Sequence, residues 1–360
     1  MNNKVIIGLS GGVDSTISMM LLKNKGYNLE ALFMKNWDED DSQEGCNAEE
    51  DLKYARDACN QLNIKLHTVN FSDEYWNNIF LEFIDSYKRG YTPNPDILCN
   101  KYIKFKVFLD HAITLGASKI ATGHYAKIVK IKNSFYLSIP KDNKKDQTYF
   151  LHTLDQDQLS NIIFPLADIT KDEVKMLAKK NQFMSYSKKE SMGICFIGNK
   201  KFKNFISNYI DNKQGNILDS SNNIIGKHKG MFYTTIGQRE GIGVGGIKNK
   251  QNLPWYVYKK DIKKNILYVC QGNDNELLFK QKIFFKDLQI ITQKDSDILN
   301  KKIICQIRHL GKKYLCSIKK IKNNLYCANT DSKVRAPAPG QSIVFFDGDL
   351  CMGGGIIVDD

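Results

Sequence analysis

Lys4-Val-Ile-Ile-Gly-Leu-Ser10-Gly11-Gly12-Val13-Asp14-Ser15-Thr16 decides how this chain reads. A short β-branched strand runs into Ser-Gly-Gly, and a helical pattern starts at once. Two adjacent glycines let the backbone turn tightly and approach a ligand closely, because neither carries a Cβ. Ser10, Ser15 and Thr16 add hydroxyls, and the helix that follows presents unpaired N–H groups and the positive end of its dipole. A strand–loop–helix of this kind holds an anion, most often a phosphate. No Gly-Lys-Ser/Thr follows, so it is not a Walker loop, and it is not the dinucleotide pattern Gly-x-Gly-x-x-Gly.

Outward from that stretch, the first ~140 residues alternate strand and helix, which predicts an α/β fold with a doubly wound parallel sheet. Strands are expected at Val5–Leu9, Leu29–Phe33, Lys65–Asn70 and Lys119–Thr122. Helices are expected at Val13–Lys25, Ala48–Leu62, Asp73–Tyr87 and Ile103–Leu115. Leu52, Ala55, Cys59 and Leu62 recur at the spacing of one buried helix face, as do Trp76, Phe80, Phe83 and Tyr87. Ligands of such sheets lie beyond the carboxyl ends of the strands, where the Ser-Gly-Gly loop falls. Lys127–Ile139 alternates with period two around Asn133-Ser134 and reads as a hairpin, and Thr170-Lys-Asp-Glu173 is a capping box opening a further helix. After about residue 205 the helical periods fade. Residues 205–275 read as a small mixed β-rich domain and 276–360 as a C-terminal β-barrel, leaving 1–204 as the α/β domain that carries the Ser-Gly-Gly loop.

Composition bounds the function. The chain has 360 residues, 42% hydrophobic and 25% charged, which fits a soluble globular protein. There is no signal-peptide core and no apolar run long enough to span a bilayer, so the expected setting is cytoplasmic, without a membrane partner. The net charge of +13 permits a polyanionic partner. It does not establish one, because Lys dominates, with Arg only at 56, 89, 239, 308 and 335, as base composition alone can cause. Nine cysteines stand at 46, 59, 99, 195, 270, 305, 316, 327 and 351, an odd number with no Cys-x-x-Cys pair. Reduced thiols are expected, and no dedicated protein metal site.

Two cysteines have unusual settings. Cys99 lies in Thr92-Pro-Asn94-Pro95-Asp96-Ile-Leu-Cys99-Asn100, where two prolines predict a rigid, non-helical segment just before a helix. A thiol near a helix start is helped toward thiolate, and Asp96 is placed to move a proton or, if too close, to oppose ionisation. Cys195 lies in Ser191-Met-Gly-Ile-Cys195-Phe, between glycines. Either cysteine, taken alone, reads first as a small buried hydrophobe. Lys144-Lys145-Asp146-Gln147-Thr148-Tyr149-Phe150 places cations beside an amide and aromatics, suited to phosphate and a splayed-out base, or to the start of a core helix. His124 ends a strand on the ligand side of the sheet. Carboxylates at Asp14 and in Trp37-Asp-Glu-Asp-Asp41 are candidates for Mg²⁺ on a pyrophosphate, or, for the cluster, a solvated loop.

These pieces, in this order, resemble one family along essentially the whole chain. Ser10-Gly-Gly-x-Asp-Ser15 resembles the loop of the PP-loop ATP pyrophosphatases, which cleave ATP between its α and β phosphates. Together with Met34-Lys-Asn-Trp37, Thr92–Asn100, Ala121-Thr-Gly-His-Tyr125, Lys145-Asp-Gln-Thr-Tyr149, Ser191–Phe196, Tyr233-Thr-Thr-Ile-Gly-Gln-Arg239, Pro339-Gly-Gln341 and Gly353-Gly-Gly355, it resembles the bacterial tRNA-specific 2-thiouridylases. The resemblance implies an enzyme, a tRNA-uridine 2-sulfurtransferase. ATP would adenylate the 2-carbonyl oxygen of the wobble uridine, position 34, and a cysteine persulfide would supply sulfur, releasing AMP and pyrophosphate. It implies ATP, with Mg²⁺ accompanying it, at Gly8, Leu9, Ser10, Gly11, Gly12, Val13, Asp14, Ser15, Met34 and Gly123. Asn94, Pro95 and Asp96 would meet the target base. Cys99 would be the nucleophile and Cys195 the persulfide carrier. His124, Lys145, Asp146, Gln147, Arg308, His309 and Gln341 would contact tRNA. The implied partners are a tRNA carrying a wobble uridine and an external sulfur donor, with the enzyme itself a monomer. An amide-forming pyrophosphatase acting on a small acid would share the loop but needs neither cysteine pair nor barrel. A non-catalytic RNA-binding protein would lack tRNA-stimulated pyrophosphate release.

Overall fold

A computed structural model describes residues 3–37, 48–188, 205–211, 213–245, 253–292, 294, 298–299 and 301–359. Strands β1 (Lys4–Leu9), β2 (Asn28–Lys35), β3 (Leu66–Asn70), β4 (Lys119–Ala121) and, after an intervening hairpin, β7 (Ile162–Ile163) form a parallel sheet in the order β3-β2-β1-β4-β7. β1 is apolar along nearly its whole length because both its faces are covered. Ile6 packs in one core cluster and Val5, Ile7 and Leu9 in another, the alternation that a two-sided strand requires. The chain builds outward from β1 through β2 to β3, then crosses back to β4. That reversal puts a crevice beyond the carboxyl ends of β1 and β4. The loop Ser10–Gly12 and the pair Gly123-His124 both open into that region.

The helix after the loop, Val13–Asn24, is buried on most sides, and Ser15, Thr16 and Ser18 are small enough to allow this close packing. It ends where Gly26 takes φ +78°, with the Gly26 N–H on Lys23 O and the Tyr27 N–H on Leu22 O, two of the terminal carbonyls that need partners. The expected segment Asp73–Tyr87 is helical over 72–88 with a π-turn at Trp76–Phe80. The helix expected from Ile103 begins eight residues earlier, at Pro95. It runs through a nine-residue π-segment, Cys99–Val107, to Thr114. The second proline is the reason: at the first helical position Pro lacks only an N–H that would be unpaired anyway. Asp96 and Cys99 therefore stand on the first turns of a helix, not in a rigid loop.

A second sheet joins β8 (Gly215–Leu218), β9 (Ile224–His228), β10 (Trp255–Asp261) and β11 (Ile266–Gln271) in the order β10-β11-β8-β9. The last six strands are β12 (Phe279–Ile290), β13 (Lys302–Gln306), β14 (Lys313–Lys322), β15 (Leu325–Arg335), β16 (Ser342–Asp347) and β17 (Leu350–Ile357). They close into an antiparallel barrel through β12–β17 pairing. Gly353, at φ +129°, leaves no room for a side chain: a Cβ there would stand 2.0 Å from Gln289 O across the closing seam.

The hairpin β5 (Lys127–Ile131) and β6 (Ser134–Ser138) turns where expected, but it does not join the parallel sheet. It pairs with β17, Leu350 opposite Ser138 and Cys351 opposite Leu137, and extends the barrel sheet to eight strands. Beside it the Tyr149 hydroxyl donates to Ser342 O at 2.8 Å, and His152 Nε2 lies 3.0 Å from Ser342 Oγ. Burial holds His152 neutral, its pKa lowered to about 3. The α/β unit and the barrel are thus joined by paired backbone and by buried polar contacts, both specific in register.

Candidate functional site

The loop is shaped by its own hydroxyls. The Ser10 N–H points to Ser15 Oγ at 3.3 Å, Ser15 Oγ donates to Gly12 O at 3.0 Å, and so does Thr16 Oγ1 at 3.0 Å. Gly11 sits at φ +70°, and a Cβ there would fall 2.2 Å from Asp51 O. Gly12 caps the helix without any side-chain hydrogen bond, so the helix start offers its N–H groups to the crevice. The remaining predicted nucleotide residues converge here. Gly8, next to last in β1, lies against Met34 and Phe108, Leu9 is buried in the core so that only its backbone is available, and Gly123 lies against the Ser15 backbone.

A cavity of about 380 Å³ opens over this loop, lined by Ser10, Gly12, Val13 and Asp14 together with Lys144, Lys145, Gln147, Lys171 and His309. Four stretches of chain far apart in sequence meet in it. In the sequence Lys171 stands out only as the first residue of a capping-box helix. Its Nζ lies 2.7 Å from each oxygen of Asp14, and the Tyr125 hydroxyl donates to Asp14 at 2.9 Å. The signal was present in the sequence as a lysine at a helix N-terminus, an unfavourable place for a cation unless an anion holds it.

That pairing bears on the metal expectation. Both Asp14 oxygens are taken by Lys171, so Asp14 does not suit a Mg²⁺ ligand in this arrangement. The acidic cluster Asp38–Asp41 lies outside the described residues. Among the described residues no group of three or more His, Cys, Asp or Glu side chains is placed to hold a metal ion.

The helix turn with Asp96 and Cys99 is set by Asn94, whose side chain accepts from the Asp96 N–H at 3.1 Å, with Pro95 buried behind it. Cys99 is 3% exposed. Asp96 keeps access to solvent, yet the crowded recess around it desolvates the carboxyl and raises its pKa, while Lys104 and His309 pull it back. Lys104 is a second residue that the sequence did not advertise. Lys104 follows Cys99 by five residues in the same π-segment. Its Nζ lies 3.5 Å from His124 Nε2. Burial and that cation push the His124 pKa well down, and its Nδ1 lies 2.8 Å from Thr122 Oγ1. His124 is therefore a neutral, inward-facing ring.

Several predicted RNA contacts hold the site's walls together. Gln147 Oε1 accepts from the Tyr125 N–H at 2.9 Å, and Asp146 accepts from the Thr148 N–H at 2.9 Å. His309, carried from the barrel, reaches Asp146 O at 2.6 Å through Nε2 and lies over Phe150 at 4.4 Å. Arg308 donates to Ile236 O at 3.4 Å and Ala336 O at 3.0 Å, and Gln341 donates to Thr92 O at 2.6 Å. Lys145 faces the cavity. Cys195 lies outside the described residues.

A phosphate loop at the reversal of a parallel sheet, with an ion-paired lysine facing it, defines a nucleotide-binding α/β protein of the PP-loop type. Comparison with known proteins carries this to the whole chain. Residues 3–199 match a family described as tRNA methyl transferase HUP domain, residues 203–271 its PRC-barrel domain, and residues 280–357 an aminomethyltransferase beta-barrel domain. The tRNA-specific 2-thiouridylase MnmA of Buchnera aphidicola subsp. Acyrthosiphon pisum is 48% identical over 359 residues, 99% of this chain and 97% of that protein. The MnmA of Francisella philomiragia is 45% identical over 99% of each. Among solved structures, the U34-tRNA thiolase NcsA of Methanococcus maripaludis overlaps 58% of this chain and 65% of its own, at 23% identity and a TM-score of 0.35. The chain belongs to the tRNA-specific 2-thiouridylase family. Among the described residues no helix is long and apolar enough to cross a membrane.

Proposed function

We infer that this chain replaces the 2-carbonyl oxygen of a tRNA wobble uridine with sulfur at the expense of ATP. The observation that carries the reading is the meeting of the Ser10–Asp14 loop, Lys145, Gln147 and the barrel residue His309 around one cavity, with Asp96 close enough to Lys104 and His309 for both to pull its pKa down. The loop and the start of its helix suit the β and γ phosphates, and Lys171, Lys144 and Lys145 oppose the charge of departing pyrophosphate. The uridine oxygen attacks the α phosphorus, and pyrophosphate leaves. A 2-carbonyl oxygen is a poor leaving group, and joining it to AMP makes it a good one. The base must leave its stack to reach these groups, and Asn94 and Asp96, at the start of the Pro95 helix, are the residues proposed to meet it. Asp96, with its pKa raised, is suited to take a proton from the uracil ring.

In the second stage the terminal sulfur of a Cys195 persulfide attacks C2 and AMP departs. The Cys99 thiolate then attacks the Cys195 sulfur. The sulfur–sulfur bond to the base breaks, the electron pair stays on the thiouridine, and Cys99 and Cys195 become a disulfide. An external thiol reductant returns both to thiols, and an external donor reloads the persulfide. Mg²⁺ would accompany the nucleotide through its phosphate oxygens, and none of these steps is assigned to it. The test is the product pair. Incubation with ATP and unmodified tRNA is expected to release AMP and pyrophosphate in step with 2-thiouridine. ADP with inorganic phosphate, or nucleotide cleavage that tRNA does not stimulate, refutes the reading.

A further inference from the structure

A second recess, about 500 Å³, opens where the α/β unit, the four-stranded sheet and the barrel meet. Five cations line it, Arg89 from the first, which is ion-paired with Glu82 at 3.3 Å and Asp85 at 3.0 Å, Lys259 and Lys260 from β10, and Lys280 and Lys282 from β12. The carboxylate of Asp359 is the one acidic group among its described lining residues. The junction is tight: Lys260 Nζ donates to Gly90 O at 3.0 Å, and a Cβ on Gly90 would stand 2.1 Å from Ile262 Cδ1. Burial beneath this rim lowers the Lys260 pKa to about 8, with Asp359 opposing. Like charges gathered in a partly dry recess repel one another, and an anion entering it relieves that cost.

The walls of the recess are tied to the site at two points. Arg308 bonds the carbonyls of Ile236 and Ala336, which line the recess, while its neighbour His309 lines the cavity over the phosphate loop. Pro339, also on its wall, accepts from the Thr92 N–H at 2.8 Å, two residues before Asn94. The two recesses present positive charge differently. The phosphate-loop cavity has a backbone turn and a helix start. The junction recess has lysine side chains on two strands, β10 and β12, with Arg89 from the α/β unit, and the lysines are point charges on flexible stems that suit a repeating charge better than one shaped group.

We propose that the junction recess binds the phosphodiester backbone of the RNA on the flank of the reacting nucleotide. This rests on the tRNA reading above. Lys259 and Lys282 are exposed, so reversing their charge leaves the fold in place, which the thermal transition of the variant checks. The probe is unmodified tRNA bound at equilibrium across a series of salt concentrations. Lys259→Glu combined with Lys282→Glu is expected to weaken binding about tenfold or more at low salt. The same variant should flatten the log–log salt slope by roughly 1.5 to 2, the loss of two phosphate contacts, with ATP binding unchanged. Asp359→Asn is expected to shift affinity the other way, tightening it by about two- to fivefold. Parent-like affinity and slope in the lysine variant overturn the proposal. A parent protein without affinity for tRNA overturns the functional reading, and this one with it.

Discussion

The two recesses set different tasks for the same positive charge. Over the phosphate loop, charge is fixed: Lys171 is 5% exposed and locked to both oxygens of Asp14, and the glycine turn can be made by almost no other residue. At the three-way junction, charge is spread over side chains that differ in burial and reach. A rigid arrangement stabilises charge that appears at one place during a reaction. A spread arrangement holds a polymer in register without reading it. Substitutions near the loop and the Cys99 helix should therefore act on turnover, and those at the junction on affinity.

The largest effect is expected at Cys99. Cys99→Ser should abolish 2-thiouridine formation, measured by mass spectrometry of nucleosides, while tRNA binding stays within about twofold and pyrophosphate is still released. Loss of binding instead would break the division between the two recesses. Asp96→Asn comes next, with turnover reduced by about 10²- to 10⁴-fold, the usual range for one general acid–base group. In the parent, the working form is the carboxylate, and its pKa is raised, so the rate should fall as pH drops through that raised value. The sign for stability is opposite. An acid whose pKa is higher folded than unfolded costs stability while ionised, and that cost fades as pH falls. Asp96→Asn should therefore raise the thermal midpoint at neutral pH while activity is lost. Lys171→Met should follow, with ATP cleavage down about 10²- to 10³-fold and tRNA affinity unchanged. The junction variants are the smallest, altering tRNA affinity and salt slope but not the turnover of saturated enzyme.

Much of the parallel-sheet unit was legible because its signals are local. The run into Ser10-Gly11-Gly12, the stop at Gly26 and the Thr170–Glu173 box, which forms with both reciprocal hydrogen bonds, each depend on a few neighbouring residues. The Pro95 helix start is hidden for an equally local reason: a proline reads as a breaker, yet its position after Asn94 makes it an initiator. The hairpin 127–138 was legible as a hairpin but not in its allegiance, since period two says that a strand has an outer face and not which sheet it joins.

By itself the sequence determined the phosphate loop, the order of strands and helices around it, and the family, because turn geometry, capping and hydrophobic period are written in short windows. Only the tertiary structure decided that Lys171 answers Asp14 across 157 residues, that Lys104 stands between Asp96 and His124, and that His309 travels from the barrel to the rim of the nucleotide cavity. It also drew five cations from three elements to one junction. Charges so distant along a chain meet only where packing and strand register bring their backbones together, and no short window of residues encodes that approach.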